Sequence, residues 1–262
     1  MGHLFLSDNL VTSENNVTFT MVTGTENQQY PLTNILDLAT TKTFRADVSA
    51  GIVEFYVDLK SIQTADTVAI VGPSTGGLGF QTMYIYGSAT TDFGGSDEIE
   101  VDLSQEFNVG FKEFTSANFR YWKIKLSSTG SYAEVANLFI GEATDLGEDN
   151  GFSQSTFTYT NVTNANSTLN KYGQRFTNKY NTLQTISGTI EFLSNTDKNT
   201  LEDIFRDIGT TKPFFFITDP DNNLGGDSKY RYSGYYYLQQ VPTISSINGL
   251  LWNIPLTLTQ GG

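Results

Sequence analysis

Few residues of this chain could do covalent chemistry. It has no Cys, and its single His is His3. Thiolate chemistry and disulfides are therefore excluded. A Ser-His-Asp triad or a His-bearing zinc site would have to be built on one residue beside the N-terminus. The acids are what remains. Asp219-Pro220-Asp221-Asn222-Asn223-Leu224-Gly225-Gly226-Asp227 crowds oxygen ligands into one loop, as a calcium site requires. The spacing of an EF-hand and its terminal Glu are missing, and Pro, Asn, Asp and Gly are equally what a tight link between strands needs. Asp219 and Asp221 make a carboxylate pair, but a glycosidase pair is defined by separation in space, which sequence spacing does not supply. The loop reads as a turn. No metal site, catalytic residue or cofactor is expected, and the chain does not read as an enzyme.

The most decisive local signal is helical. Thr189–Leu193 is rich in strand formers. Ser194 then stands as N-cap, with Asp197 three residues on. Leu201, Ile204, Phe205 and Ile208 form one apolar stripe. Gly209 fits the end of a helix and Pro213 blocks its continuation. The spacing predicts a helix over 195–208, lying on a sheet that contains Phe214 and Phe216 of the following apolar run.

The rest reads as strands and turns. Aromatics, Thr, Ser, Asn and Gly are abundant among 262 residues, the balance of an all-β chain. That length has room for two domains, and the acidic, aperiodic Gly141–Gly151 segment marks the join. We place the units at 1–145 and 146–262. Residues 1–146 hold 7 Lys and Arg against 18 Asp and Glu, and residues 147–262 hold 8 against 10. The acidic half repels nucleic-acid backbones. No apolar run reaches the roughly 20 residues of a membrane helix, and the N-terminus lacks a signal peptide's basic start and apolar core. A soluble protein, not exported by that route, is expected.

In the first half, Val53, Phe55, Val57 and Leu59 alternate with Glu54 and Asp58, a half-buried strand. Further strands are expected at 17–22, 67–71, 82–86, 98–103, 119–126 and 135–140. The order of Asn34-Ile35-Leu36-Asp37 with Thr41 and Phe44, then Val57-Asp58-Leu59, Val68-Ile70, Phe119–Leu126 and Val135–Gly141 resembles the galactose-binding-like, discoidin-type jelly roll. The resemblance spans about residues 28–142. Phe44 stands where that family usually has Trp, and no acid cluster marks the calcium site that some members carry. The resemblance implies sugar binding by loops at one end of the sandwich. Those loops hold Phe80, after Gly76, Gly77 and Gly79, and Ser128–Tyr132. Phe80 and Tyr132, with Arg45, are the candidate ligand-binding residues; ordinary loop anchors and a surface charge are the alternative.

In the second half, strands are expected at 155–162, 171–180, 185–193, 213–218, 229–240 and 250–258, with a polar connection at 161–170. Gly188–Ser194 leading into Leu201–Ile208, then Gly209–Phe216, resembles the tail-tube-like fold of phage tail proteins, in particular the ring-forming domain of distal-tail (baseplate) proteins. The resemblance covers about residues 150–260. It implies a β-sandwich or split barrel with one helix, assembled as a homo-oligomeric, hexameric ring through which DNA passes without sequence-specific contact. The uncharged 155–162 and 250–258 segments are expected as the sheet edges that neighbours would close. The whole chain then reads as an all-β virion structural protein of a phage tail or baseplate. It would be soluble in the host cytoplasm before assembly and would contact other tail proteins. Its jelly roll would hang outward toward a host surface glycan. A stand-alone carbohydrate-binding or adhesion protein, and a tail tube or tail-completion protein, are the alternatives.

Overall fold

The computed structural model describes residues 4–37, 42–73, 78–145, 152, 156–169, 171–172, 174–220 and 225–260. His3, Thr41, Gly76, Gly77, most of the 146–151 join and Asp221–Asn223 lie outside them. The chain is all-β with one long helix. Its strands are β1 (Leu4–Asn9), β2 (Thr18–Thr23), β3 (Thr25–Glu26), β4 (Phe44–Asp47), β5 (Ile52–Val71), β6 (Thr82–Ser88), β7 (Ile99–Glu100), β8 (Asp102–Ser104) and β9 (Val109–Ser127). Then follow β10 (Tyr132–Val135), β11 (Asn137–Asp145), β12 (Thr158–Leu169), β13 (Arg175–Leu193), helix α1 (Asn195–Ile208), β14 (Phe214–Ile217), the helical turn α2 (Ser228–Arg231), β15 (Gly234–Leu238), β16 (Ser245–Ser246) and β17 (Trp252–Gln260).

Two compact units result. The N-terminal unit comprises Leu4–Asp145 and Phe214–Gly234, and the C-terminal unit Leu146–Pro213 and Tyr235–Gly262. The first segment of the N-terminal unit ends at residue 145, and residues 214–234 cluster with it and not with the C-terminal unit. The reason is pairing. Phe214-Phe215-Phe216-Ile217 is buried throughout, so it needs neighbours on both faces. Its residues 215–217 run antiparallel to Leu4–Leu6, with the Phe5 and Phe216 rings 4.9 Å apart. Phe214 and Phe216 are therefore buried in the unit that β1 begins, and not in the unit that holds α1.

The N-terminal unit is a jelly-roll sandwich around β5 and β9. Val53, Phe55, Val57 and Leu59 are all buried, and Trp122, Ile124 and Leu126 face them from β9. The strands expected at 52–59 and 67–71 are one strand of 20 residues. Its first half is flanked by β2 and β9, its second by β11 and β9. The register breaks between Asp58 and Gln63, and Lys60 takes a left-handed φ of 68°. Such a break lets one strand turn from one layer to the other. Arg120 holds the corner, donating to both Asp58 carboxylate oxygens at 2.7 and 3.0 Å. The expected 98–103 strand is two short ones, β7 on β6 and β8 on β9. A separate three-stranded sheet, β10-β4-β3, closes one side.

In the C-terminal unit β12, β13, β17 and β15 lie side by side. Of the 161–170 segment, expected as a connection, residues 161–169 are strand: β12 pairs with β13 from Thr158↔Ser187 out to Leu169↔Arg175. Its Thr and Asn residues show no apolar alternation in the sequence, and the strand is recognised by its backbone pairing with β13. β17 is likewise no edge. It is hydrogen-bonded to both β13 and β15, and Ile254, Leu256 and Leu258 are buried on one face. α1 forms over the residues that the sequence predicts. Ser194 Oγ accepts from the Asp197 N–H at 3.1 Å and Gly209 takes φ 53°. Leu201, Phe205 and Ile208 are buried and Ile204 is partly so.

The strand expected over 229–240 begins only at Gly234. Before it, Ser228–Arg231 is a helical turn, in which the Arg231 N–H donates to the Asp227 carbonyl at 2.9 Å. The turn seats Tyr230 against Phe111, ring centroids 6.0 Å apart. The Ser228 hydroxyl donates to the buried carboxylate of Asp219 at 2.6 Å. Asp219 thus serves the fold of this loop.

Candidate functional site

The β10-β4-β3 sheet brings together two of the three candidate residues, Arg45 and Tyr132. β4 and β10 are antiparallel, with Glu134 opposite Arg45 and Tyr132 opposite Asp47. Phe44 and Ala46 of β4 and Ala133 and Val135 of β10 are buried. Strand alternation therefore turns Arg45, Asp47, Tyr132 and Glu134 to the other face. Tyr30 joins them from the loop before β4, held by the Arg45 N–H, which donates to the Tyr30 carbonyl at 3.0 Å.

Arg45 is the hub. Its guanidinium lies 4.3 Å from the Tyr132 ring centroid and 4.7 Å from that of Tyr30. Both distances suit cation–π attraction. One guanidinium nitrogen donates to Glu134 Oε2 at 2.8 Å, and the Thr43 hydroxyl donates to Glu134 Oε1 at 2.5 Å. Partial burial by itself would lower the Arg45 pKa, but the hydrogen bond and the charge of Glu134 outweigh it, and the net shift is upward. The cation stays charged at any working pH, and its orientation is fixed from three sides. Tyr132 itself is 38% exposed.

Arg45 and Tyr132 are thus in contact, whereas Phe80 is not a surface residue. It is fully buried in the core of the N-terminal unit, and its carbonyl accepts from the Gln105 side chain at 2.6 Å. The two loops still meet. The Ser128 hydroxyl lies 2.7 Å from the Gly79 carbonyl and 3.2 Å from that of Tyr132. Gly79, at φ 70°, turns the chain so that the next ring points inward. Sequence reasoning missed Tyr30, Thr43 and Glu134. The alternation of Tyr132-Ala133-Glu134-Val135 places Glu134 on the Tyr132 face, and that was the available signal. The result is an exposed ring beside a partly exposed donor that the buried Glu134 carboxylate fixes. Such an arrangement suits a small polar ligand with an apolar face. Among the described residues no group of acids and His is placed to hold a metal ion, and no helix is long and apolar enough to cross a membrane.

No family model matches the chain, and no curated protein does. Solved structures are similar to about half of it. A carbohydrate-binding module, CBM32-1, of a family 31 glycoside hydrolase from Clostridium perfringens shares 14% identity over 48% of this chain and 94% of its own, with a TM-score of 0.41. A second module from that organism, solved in complex with GalNAc-β-1,3-galactose, shares 12% over 49% and 96%, with a TM-score of 0.43. The lectin domain of lectinolysin, complexed with Lewis B antigen, shares 11% over 52% and 98%, also at 0.43.

Proposed function

We propose that this chain is a structural protein of a phage tail or baseplate. Its C-terminal unit assembles into a homo-oligomeric ring, and its N-terminal unit is a carbohydrate-binding-like module. The observation that carries the assembly reading is β12. Among the described residues it is the outermost strand of its sheet, with a run of N–H and C=O groups along one side that a neighbouring copy would satisfy. The capped helix between β13 and the Pro-aromatic run supports the same reading by resemblance. Native mass spectrometry of the full-length chain tests it. Discrete closed oligomers, six copies foremost, are the expected outcome, and a monomer at high micromolar concentration overturns it.

A second reading, a stand-alone carbohydrate-binding or adhesion protein, draws on Tyr132. An exposed ring stacks on the apolar face of a sugar, while the partly exposed Arg45 guanidinium, held by Glu134, offers a donor to its hydroxyls. A glycan array probed with the wild type and with Tyr132→Ala tests the sugar site in either reading. Binding that is lost in the variant supports it, and silence across bacterial glycans leaves the module as an assembly contact.

A further inference from the structure

The face that carries Arg45 and Tyr132 also carries an acid that nothing answers. The segments that build it, residues 25–47 and 131–135, hold four acids, Glu26, Asp37, Asp47 and Glu134, against two cations, Lys42 and Arg45. Lys42 pairs with Asp37, and Arg45 with Glu134 at 2.8 Å. A carboxylate oxygen of Glu26 accepts from the Leu32 N–H. That leaves Asp47. Its carboxylate has neither an ion pair nor a hydrogen bond among the described residues, and Leu38-Ala39-Thr40-Thr41 of the same segment bring no charge.

Register decides what stands beside it. Asp47 lies directly opposite Tyr132 of β10 and, on its other side, Thr25 of β3. All three are exposed. A hydroxyl, a carboxylate and a phenol ring thus form one row across three strands, about 10 Å from end to end, and side chains of directly opposed residues are within reach of one another. The next row holds Arg45 against Glu134, whose charges cancel. The face therefore keeps its negative charge at Asp47, within residues 1–146, where 18 Asp and Glu stand against 7 Lys and Arg. An acidic sugar is repelled there. A neutral sugar gives the carboxylate hydroxyl donors only. A protonated amine gives it a charge-assisted hydrogen bond, the stronger kind, and is drawn to a tyrosine ring besides.

We infer that this face selects saccharides that bear a free, protonated amine, with Asp47 taking the ammonium group and Tyr132 the apolar face of the sugar ring. This selectivity rests on the reading of the face as a sugar site. Titration calorimetry of the full-length chain with a glucosamine tetrasaccharide, and with its fully N-acetylated counterpart, tests it at a mildly acidic pH that keeps the amines protonated. The two ligands share one backbone and differ at nitrogen. The amine form should bind about two- to fivefold more tightly at low salt, the worth of one exposed ion pair, and the difference should vanish at high salt. Asp47→Asn should remove the preference and leave the affinity for the acetylated form unchanged. The Asp47 side chain is exposed, so the variant should keep the wild-type circular dichroism spectrum; Asp47→Thr replaces it if it does not. Tyr132→Ala should weaken both ligands. A preference that survives in Asp47→Asn overturns the role of Asp47. Equal or tighter binding of the acetylated form overturns the selectivity and, where Tyr132→Ala abolishes that binding, leaves the sugar site standing. Failure of both tetrasaccharides, beside a neutral glycan on the array whose binding Tyr132→Ala abolishes, does the same. Failure of both with a silent array removes the sugar reading and this selectivity together.

Discussion

Replacing Phe80 and Tyr132 each by Ala separates packing from ligand contact. Phe80 has no exposed surface and belongs to the core of the N-terminal unit. Truncating a buried Phe costs about 3–5 kcal/mol, since the apolar contacts are lost and the cavity closes only in part. At about 2–4 °C per kcal/mol for a domain of this size, the melting temperature should fall by about 6–20 °C. Tyr132 is 38% exposed, and its side chain is placed by the Arg45 guanidinium 4.3 Å away. Losing that contact costs about 0.5–1 kcal/mol, a fall of about 1–4 °C. Differential scanning calorimetry gives both numbers, and the glycan array gives binding on the same preparations. The expected pattern is crossed: Phe80→Ala is unstable and, where folded, binds as the wild type does, while Tyr132→Ala is stable and does not bind. A stable Phe80→Ala that loses binding would refute the inward placement of that ring.

Two further outcomes are expected. Asp58 accepts from the Arg120 side chain and also from the Lys60 N–H, and these bonds hold its carboxyl far below the ordinary range. Because the folded value is below the unfolded one of about 4, the stabilisation is complete above about pH 5 and is lost as the pH falls through 4 toward the folded value. Asp58→Asn should therefore cost about 1–3 kcal/mol at pH 7 and much less at pH 3 in urea titrations; an equal cost at both would show that the charge is not involved. At α1, Ser194→Ala should cost about 1 kcal/mol and Ser194→Gly only a few tenths, read by amide exchange in the first helical turn. Equal exchange in all three proteins would remove the cap.

What could be read in advance divides by range. α1 was legible to the residue because cap, apolar stripe and terminating Gly lie within 16 consecutive positions, Ser194–Gly209. The alternation of Val53–Leu59 was legible for the same reason, since a strand's burial pattern is written locally. The β12–β13 ribbon was not, because the Thr- and Asn-rich sequence at 160–168 has no apolar alternation to announce a strand. Nor was the interior place of β17, which depends on partners 59 to 74 positions away in β13. At the site, Arg45 and Tyr132 were each visible as residue types, but their contact is made by a register between β4 and β10 across 89 positions. Phe80 failed for a local reason of a different kind. A ring after a Gly-rich loop looks solvent-facing, and only the left-handed turn at Gly79 decides that it faces inward.

The marriage of β1 to β14 has a consequence for synthesis on the ribosome. Residues 4–145 contain nearly all of the N-terminal sandwich, yet Leu4–Leu6 has no second neighbour until Phe214–Ile217 is made. At about 5–20 residues per second, the intervening stretch of about 70 residues takes on the order of 4–14 s. During that interval Leu4-Phe5-Leu6 is an uncovered apolar edge on a nascent chain, open to any other strand that emerges nearby. The C-terminal hairpin β12–β13 emerges in that very window; β12 is Thr- and Asn-rich, which makes it a poor competitor for an apolar edge, and β13 pairs with β12 over residues 175–187. The order in which the segments leave the ribosome thus leaves the place beside β1 empty until its proper occupant, the Phe-Phe-Phe run, arrives.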